Sequence, residues 1–260
     1  MSLLAPLRTA RSLAVLLALF VCFLVGDLVI RFLLWPLVFL VPGVRLRVIS
    51  LYMRFAAWWV ISLLRLGGAR FEFQGHLPTD GPVLIVMNHQ SLVDIPAATH
   101  LSSPCSPSFV TRSRYKHFAP MVSPMLWMRR CPFVDPERGP KAAIGVLKKA
   151  AASESNGLLI YPEAHRSRDG TIGAFNTAGI RVILKERRMP VFLVVTDGLY
   201  KAPRLSDFVF HMHEIRGRTE VLGPLEPPPS DQDLEGFVET LRTRMVAQLE
   251  AWRREDHARA

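Results

Sequence analysis

The chain has 260 residues, half of them apolar, a mean hydropathy of +0.21, a formal net charge of +10 and a pI near 10.1. That length fits one domain of ordinary size with extra elements, and the hydropathy is high for a wholly soluble protein. The charge suits nucleic acid, anionic lipid or an acidic carrier protein, but no base-reading motif or aromatic platform accompanies the basic residues, which argues against nucleic acid. Cys22, Cys105 and Cys131 are far apart and in no metal or redox spacing, as expected of packing residues in a reducing compartment.

The apolar excess lies near the N-terminus. Residues 13–26 carry no charge, and extension to 12–30 gives a stretch of membrane-spanning length that includes Asp27. Asp27 and Arg31 lie at i,i+4 and are expected to pair on one helix face, with Asp27 near a headgroup region or against protein. Residues 32–44 are apolar but broken by Pro36, Pro42 and Gly43. Two arrangements fit: one span followed by an interfacial piece, or a helical hairpin dipping into one leaflet. A cleaved signal peptide fits less well, because no small-residue cleavage site follows. Arg8 and Arg11 favour a cytoplasmic N-terminus. Residues 45–66 read as an interfacial helix, with Arg47, Arg54 and Arg65 on one stripe and Phe55, Trp58, Trp59 and Leu63 on other faces.

Gly67-Gly68 ends that helix. Strands are predicted at 69–74, 83–87, 108–111, 158–161, 190–196, 207–215 and 219–222, and helices after Ser91 (as N-cap) and at 140–152 and 177–188. Residues 225–230 form a proline-rich linker, and Asp231 is expected to cap a C-terminal amphipathic helix running to about Arg254. Alternating strands and helices predict an α/β fold, a mixed sheet flanked by helices and preceded by a membrane-embedded helical segment. The expected division is 1–68 for membrane-associated helices, 69–225 for the sheet domain, and 226–260 for the linker and last helix.

Two polar blocks each follow a buried strand. The first is Asn88-His89-Gln90-Ser91-Leu92-Val93-Asp94 and the second Tyr161-Pro162-Glu163-Ala164-His165-Arg166-Ser167-Arg168-Asp169-Gly170. A histidine at a strand end can accept a proton, and a carboxylate five residues later, past a turn, can fold back and orient the ring. Blocks that end neighbouring strands can meet on one sheet edge and form a site. His211 and His213 would share one strand face, but no third metal ligand is apparent, and no cofactor site is evident.

Together the blocks resemble those of the glycerolipid acyltransferases, most closely the lysophosphatidic acid acyltransferases (1-acylglycerol-3-phosphate acyltransferases). The family pattern of Asn-His, four residues, Asp is met in full. Its Pro-Glu-Gly-Thr-Arg-Ser block appears as Pro162-Glu163-Ala164-His165-Arg166-Ser167, with residues 112–138 similar to the family's middle block and 189–194 to its final strand. The departures are Ala164-His165 for Gly-Thr, Leu193 for a second proline, and Arg114 for an acidic residue. The resemblance covers roughly residues 70 to 225.

The resemblance implies transfer of an acyl group from a thioester, acyl-CoA or an acyl carrier protein, to a lysophospholipid hydroxyl at the cytoplasmic (inner) membrane, with the catalytic domain facing the cytoplasm. His89 would act as general base and Asp94 would hold its tautomer and stabilise the imidazolium. Arg166 would bind phosphate, with Arg168 and Arg138 as further candidates, and Glu163 would orient Arg166 or the acceptor hydroxyl. The expected acceptor is 1-acyl-sn-glycerol-3-phosphate, giving phosphatidic acid. Ala164-His165 motivates an alternative acceptor, such as a lyso-ornithine lipid, and a third reading is a non-catalytic lipid-binding protein of the same fold. A lipid esterase would need a Gly-x-Ser-x-Gly elbow, which is missing from the sequence.

Overall fold

The computed structural model describes residues 4–259. The N-terminal apolar stretch forms α1 (Leu4–Val29), a π-helical turn (Ile30–Leu34) and α2 (Trp35–Leu40) in succession. Pro36 falls in the first turn of α2, where its missing N–H is not needed. A 3-10 turn (Pro42–Val44) then reverses the chain into α3 (Arg45–Leu66). The two long helices run antiparallel: a Cβ on Gly26 would collide with Tyr52, and one on Gly68 would crowd Arg11. Asp27 pairs with Arg31 at 2.6 Å as expected, and its other oxygen accepts from the Met121 backbone N–H at 2.9 Å. The carboxylate is thus satisfied by protein inside an apolar helix.

The strands are β1 (Arg70–Gln74), β2 (Leu77–Pro78), β3 (Val83–Met87), β4 (Ser102–Ser103), β5 (Ser108–Phe109), β6 (Thr111–Arg112), β7 (Phe133–Val134), β8 (Gly157–Ile160), β9 (Val191–Asp197) and β10 (Arg216–Leu225). Six form the main sheet in the order β1-β10-β9-β3-β8-β5; β2 pairs with β4 and β6 with β7. Neighbouring strands of the main sheet are parallel except β9 and β10. The remaining helices are α4 (Asp94–Leu101), α5 (Val122–Arg129), α6 (Gly139–Ser153), α7 (Thr177–Glu186), α8 (Asp207–His211) and α9 (Leu234–Arg259).

β3 is buried on both faces, which is why its sequence is an unbroken apolar run rather than an alternation. Successive residues serve opposite cores. Leu84 and Val86 join Leu147, Ile180, Leu241 and Trp252 under α6, α7 and α9. Ile85 and Met87 join Ile49, Met53, Ala98 and Leu126 under α3, α4 and α5. Helix α3 therefore packs into the same core as the central strand, and α9 closes the opposite face.

Three local expectations are corrected. Residues 207–215 form α8 and a 3-10 turn (Met212–Glu214), not a strand. The buried residues are Phe208, Met212 and Ile215, spaced four and three apart, a helical rather than alternating period. His211 and His213 consequently share no strand face, and His211 Nδ1 lies 3.1 Å from Glu214. Ser91 is not a cap: its hydroxyl donates to the Ala202 carbonyl at 2.8 Å. Asp231 does not cap α9, which begins at Leu234; its carboxylate is bound by Arg188 and Lys185.

Candidate active site

β3, β8 and β9 end side by side; the chain leaves β3 toward β5 and β8 on one side and leaves β8 for β9 on the other, the kind of reversal where α/β folds form ligand crevices. Asn88 fastens this edge. Its amide donates to the Thr196 carbonyl (2.9 Å) and its oxygen accepts from the Thr196 N–H (2.8 Å), tying the end of β3 to β9. His89 follows immediately. Asp94, at the first turn of α4 and fully buried, folds back so that Oδ2 lies 2.6 Å from His89 Nδ1. The same oxygen accepts from the backbone N–H groups of Gln90 (2.7 Å) and Ser91 (2.9 Å). Three contacts fix the carboxylate and, through it, the tautomer in which Nδ1 carries the hydrogen. Nε2 is left for the cavity that His89 lines.

The second block closes on the first. Glu163 Oε1 accepts from the His89 N–H and Oε2 from the Gly173 N–H, both at 2.9 Å. The Ser167 N–H donates to the His89 carbonyl at 2.7 Å, a main-chain bond that joins the two blocks directly. Glu163, expected to orient Arg166 or the acceptor hydroxyl, is buried, has both oxygens taken by backbone donors, and is not among the residues lining the cavity, so in this structure it braces the two blocks. Gln90 is a further tie. Its amide nitrogen reaches the Gly170 carbonyl and Asp197, and its oxygen accepts from Leu199 and Tyr200 N–H groups. From α9, Arg253 binds the same Asp197 and Gly170.

Tyr161 stacks on the His89 ring, with centroids 4.2 Å apart and planes inclined at 25°. Burial pushes its phenol well above the usual range, and the charge on Asp94 adds to this, so the ring stays neutral. Asp169 is held down at about 2, first by the Thr171 hydroxyl and then by the Thr171 N–H and the Ser167 hydroxyl, which keeps the turn after Arg168 charged and closed.

The cavity measures about 1170 Å³. Its lining includes Phe23 of α1, Met53 and Val60 of α3, and Met125 and Leu126 of α5, together with Arg112, Arg114, Arg166, Arg168 and Arg204. His89 and Tyr161 belong to the same lining. Arg166 Nη1 donates to the Pro203 carbonyl at 3.1 Å, and its buried Nε has no partner among the described residues. Arg138 is not in the lining: its side chain is 79% exposed and lies 3.4 Å from Asp135. Of the expected site residues, His89, Arg166 and Arg168 thus meet at one cavity, Asp94 stands behind His89, and Arg138 lies outside. Sequence reasoning gave no role to Tyr161, Gln90, Arg112 or Arg204. Tyr161 opens the second block, a signal that was present; Arg204 has none.

At the position where the resembling family carries glycine, Ala164 has a φ of +58°, and its carbonyl accepts from Arg112 at 2.7 Å. The turn keeps the left-handed backbone that glycine adopts freely. His165 lines the cavity, its Nδ1 2.6 Å from the Glu163 carbonyl. Among the described residues no group of three or more His, Cys, Asp or Glu side chains is arranged to hold a metal ion.

A histidine backed by a buried carboxylate, beside a cavity lined by both apolar and basic side chains, is equipped to deprotonate an alcohol. Residues 69–196 match the family model described as Acyltransferase. No curated protein matches the chain by sequence. Among solved structures, the crystal structure of the 1-acyl-sn-glycerophosphate (LPA) acyltransferase PlsC from Thermotoga maritima is similar, with a TM-score of 0.69 and 21% identity over 94% of this chain and 98% of that one. Residues 69–196, just under half of the chain, are thus similar to the acyltransferase family.

Proposed function

We propose that the protein moves a fatty acyl group from a thioester to the free hydroxyl of 1-acyl-sn-glycerol-3-phosphate, giving phosphatidic acid. The observation that carries the reading is the His89–Asp94 pair at 2.6 Å beside a cavity lined by both apolar side chains and arginines. His89 Nε2 takes the hydroxyl proton as the oxygen attacks the thioester carbonyl. The tetrahedral intermediate then collapses, the C–S bond breaks, and the imidazolium returns the proton to the departing thiolate. Asp94 stabilises the imidazolium while it exists, and a general base of this kind contributes about 10²–10⁴-fold. Arg166 and Arg168 face the acceptor phosphate, and the apolar side chains of the lining take an acyl chain.

The reaction is read as occurring at a membrane. Pro6–Leu40 and Pro42–Leu66 are each long and apolar enough to cross one. Leu17, Phe20, Leu24, Phe32, Phe39 and Leu40 are exposed, as are Phe55, Trp58 and Trp59 of α3. Val15 and Ile30 are nevertheless buried against the catalytic domain, so lipid cannot surround α1 on all sides. That favours a hairpin dipping into one leaflet, here taken as the cytoplasmic one, with either acyl-CoA or an acyl carrier protein as donor.

A second reading changes the acceptor. His165 in place of threonine brings a larger, titratable group to the cavity, which suits another lysolipid headgroup. Acyl transfer by the purified full chain, measured with a panel of lysolipids and both donor types, separates the two. His89→Ala is expected to abolish turnover on every acceptor while membrane partitioning persists; near-normal turnover in that variant would defeat the base assignment.

A further inference from the structure

A second basic pocket lies at the base of the antiparallel helices, apart from the catalytic cavity. It measures about 380 Å³ and is lined by Arg8 and Arg11 of α1, Arg65 at the end of α3, Gly68, Ala69 and Arg70, and His213 and Arg216 before and at the start of β10. No carboxylate is among its described lining residues. This contrasts with nine other arginines, Arg31, Arg129, Arg138, Arg181, Arg188, Arg218, Arg242, Arg253 and Arg254, which each reach an Asp or Glu. In the pocket, Arg65 and Arg216 bond instead to main-chain carbonyls of Phe71, His213 and Ile215. The buried Nδ1 of His213 has no partner among the described residues. The nearest acid in sequence, Glu214, is engaged by His211.

Five guanidinium groups around one hollow repel one another unless an anion lies between them. The surroundings identify the kind of anion. Leu7, Leu13 and Leu66, within two residues of these arginines in sequence, are exposed, so charge and apolar surface adjoin as they do at a headgroup boundary. The strand register puts Arg70 opposite Arg216, and Arg218 opposite Asp197, so the pocket lies at the same end of the sheet as His89 but toward its β1 edge.

We infer that this pocket binds the phosphate group of an anionic phospholipid, held by Arg8, Arg11, Arg65 and Arg216, as a site separate from the acceptor site. Planar, multiply donating guanidinium groups suit phosphate oxygens better than point charges do.

The test uses the full chain and its partitioning onto phosphatidylcholine vesicles with and without phosphatidylglycerol. The triple variant Arg8→Gln, Arg11→Gln, Arg216→Gln is expected to lose the gain from the anionic lipid by on the order of 10²-fold. A variant with the same net charge, Lys141→Gln, Lys148→Gln, Lys149→Gln on α6, is expected to keep it within about twofold, since these lysines lie outside the pocket. In a parallel arm, thermal unfolding in neutral detergent compares inorganic phosphate with chloride at equal ionic strength. Phosphate protection lost in the arginine variant, with no change on vesicles, would overturn the lipid assignment and give the same pocket to a soluble phosphate. Equal loss in both variants, or no loss in the arginine variant in either arm, overturns the inference. Turnover on micellar acceptor, retained in the arginine variant, separates this site from the catalytic reading.

Discussion

Replacing Asp94 with asparagine removes one charge and little else. Oδ2 accepts three hydrogen bonds, whereas the buried Oδ1 accepts none among the described residues. The asparagine oxygen can therefore take the place of Oδ2 and keep all three donors, with its NH₂ group in the unpartnered position. The unpaired amide costs about 1–3 kcal/mol, which leaves the fold intact. What disappears is the attraction between carboxylate and imidazolium. At about 4 Å between charge centres and an effective dielectric constant of about 20, that attraction is about 4 kcal/mol. If it is fully expressed in the transition state, kcat falls by about 10³-fold. The assay is thiol release from the donor at saturating acceptor, with the thermal midpoint measured alongside. A kcat within about tenfold of the parent in a folded variant would refute the electrostatic role and leave Asp94 as a loop tie.

Three other substitutions test the remaining assignments. Arg166→Ala is expected to raise KM for a phosphate-bearing acceptor by roughly 10- to 100-fold and leave the thioester KM unchanged, from the loss of a charged hydrogen bond; an equal effect on a neutral lysolipid would count against phosphate binding. Glu163→Gln sets an amide donor against the N–H of His89 or Gly173, and should lower stability by about 1–3 kcal/mol, or several degrees in the thermal midpoint; no shift would mean that the brace is dispensable. Ala164→Gly relieves a left-handed residue at φ +58° and should stabilise the chain by about 1 kcal/mol, read from the same unfolding curve; an unchanged midpoint would show that the turn carries no strain.

The central strands were legible because burial on both faces writes itself as continuous apolar sequence: β3 was predicted at its observed bounds, and β8 and β9 to within a residue at each end. α3 was equally clear, ended by Gly67-Gly68. The segment 207–215 misled because Phe208, Phe210 and Met212 alternate with other residues, while packing under α1 selects Phe208 and Met212 at helical spacing. Ser91 and Asp231 are cap-forming residue types, but long-range partners (Ala202, Arg188 and Lys185) took their polar atoms instead. At the site, the His89–Asp94 pair is local, and it was readable from the second block and the strand context of both rather than from spacing alone. Glu163 is braced by backbone N–H groups, which carry no sequence signature, and Arg204 reaches the cavity from a loop distant in sequence.

Phe23, Met53 and Val60 belong to the two apolar helices and also to the cavity wall. Their double membership bears on how a water-insoluble reactant travels. A hydrocarbon tail leaving a lipid monolayer between those helices exchanges one oily neighbour for another. Each methylene that crossed water instead would cost about 0.8 kcal/mol, so a ten-carbon stretch would face about 8 kcal/mol. Because the Met121 N–H donates to Asp27, that side of the cavity lining is tied to the very helix along which such a tail would slide.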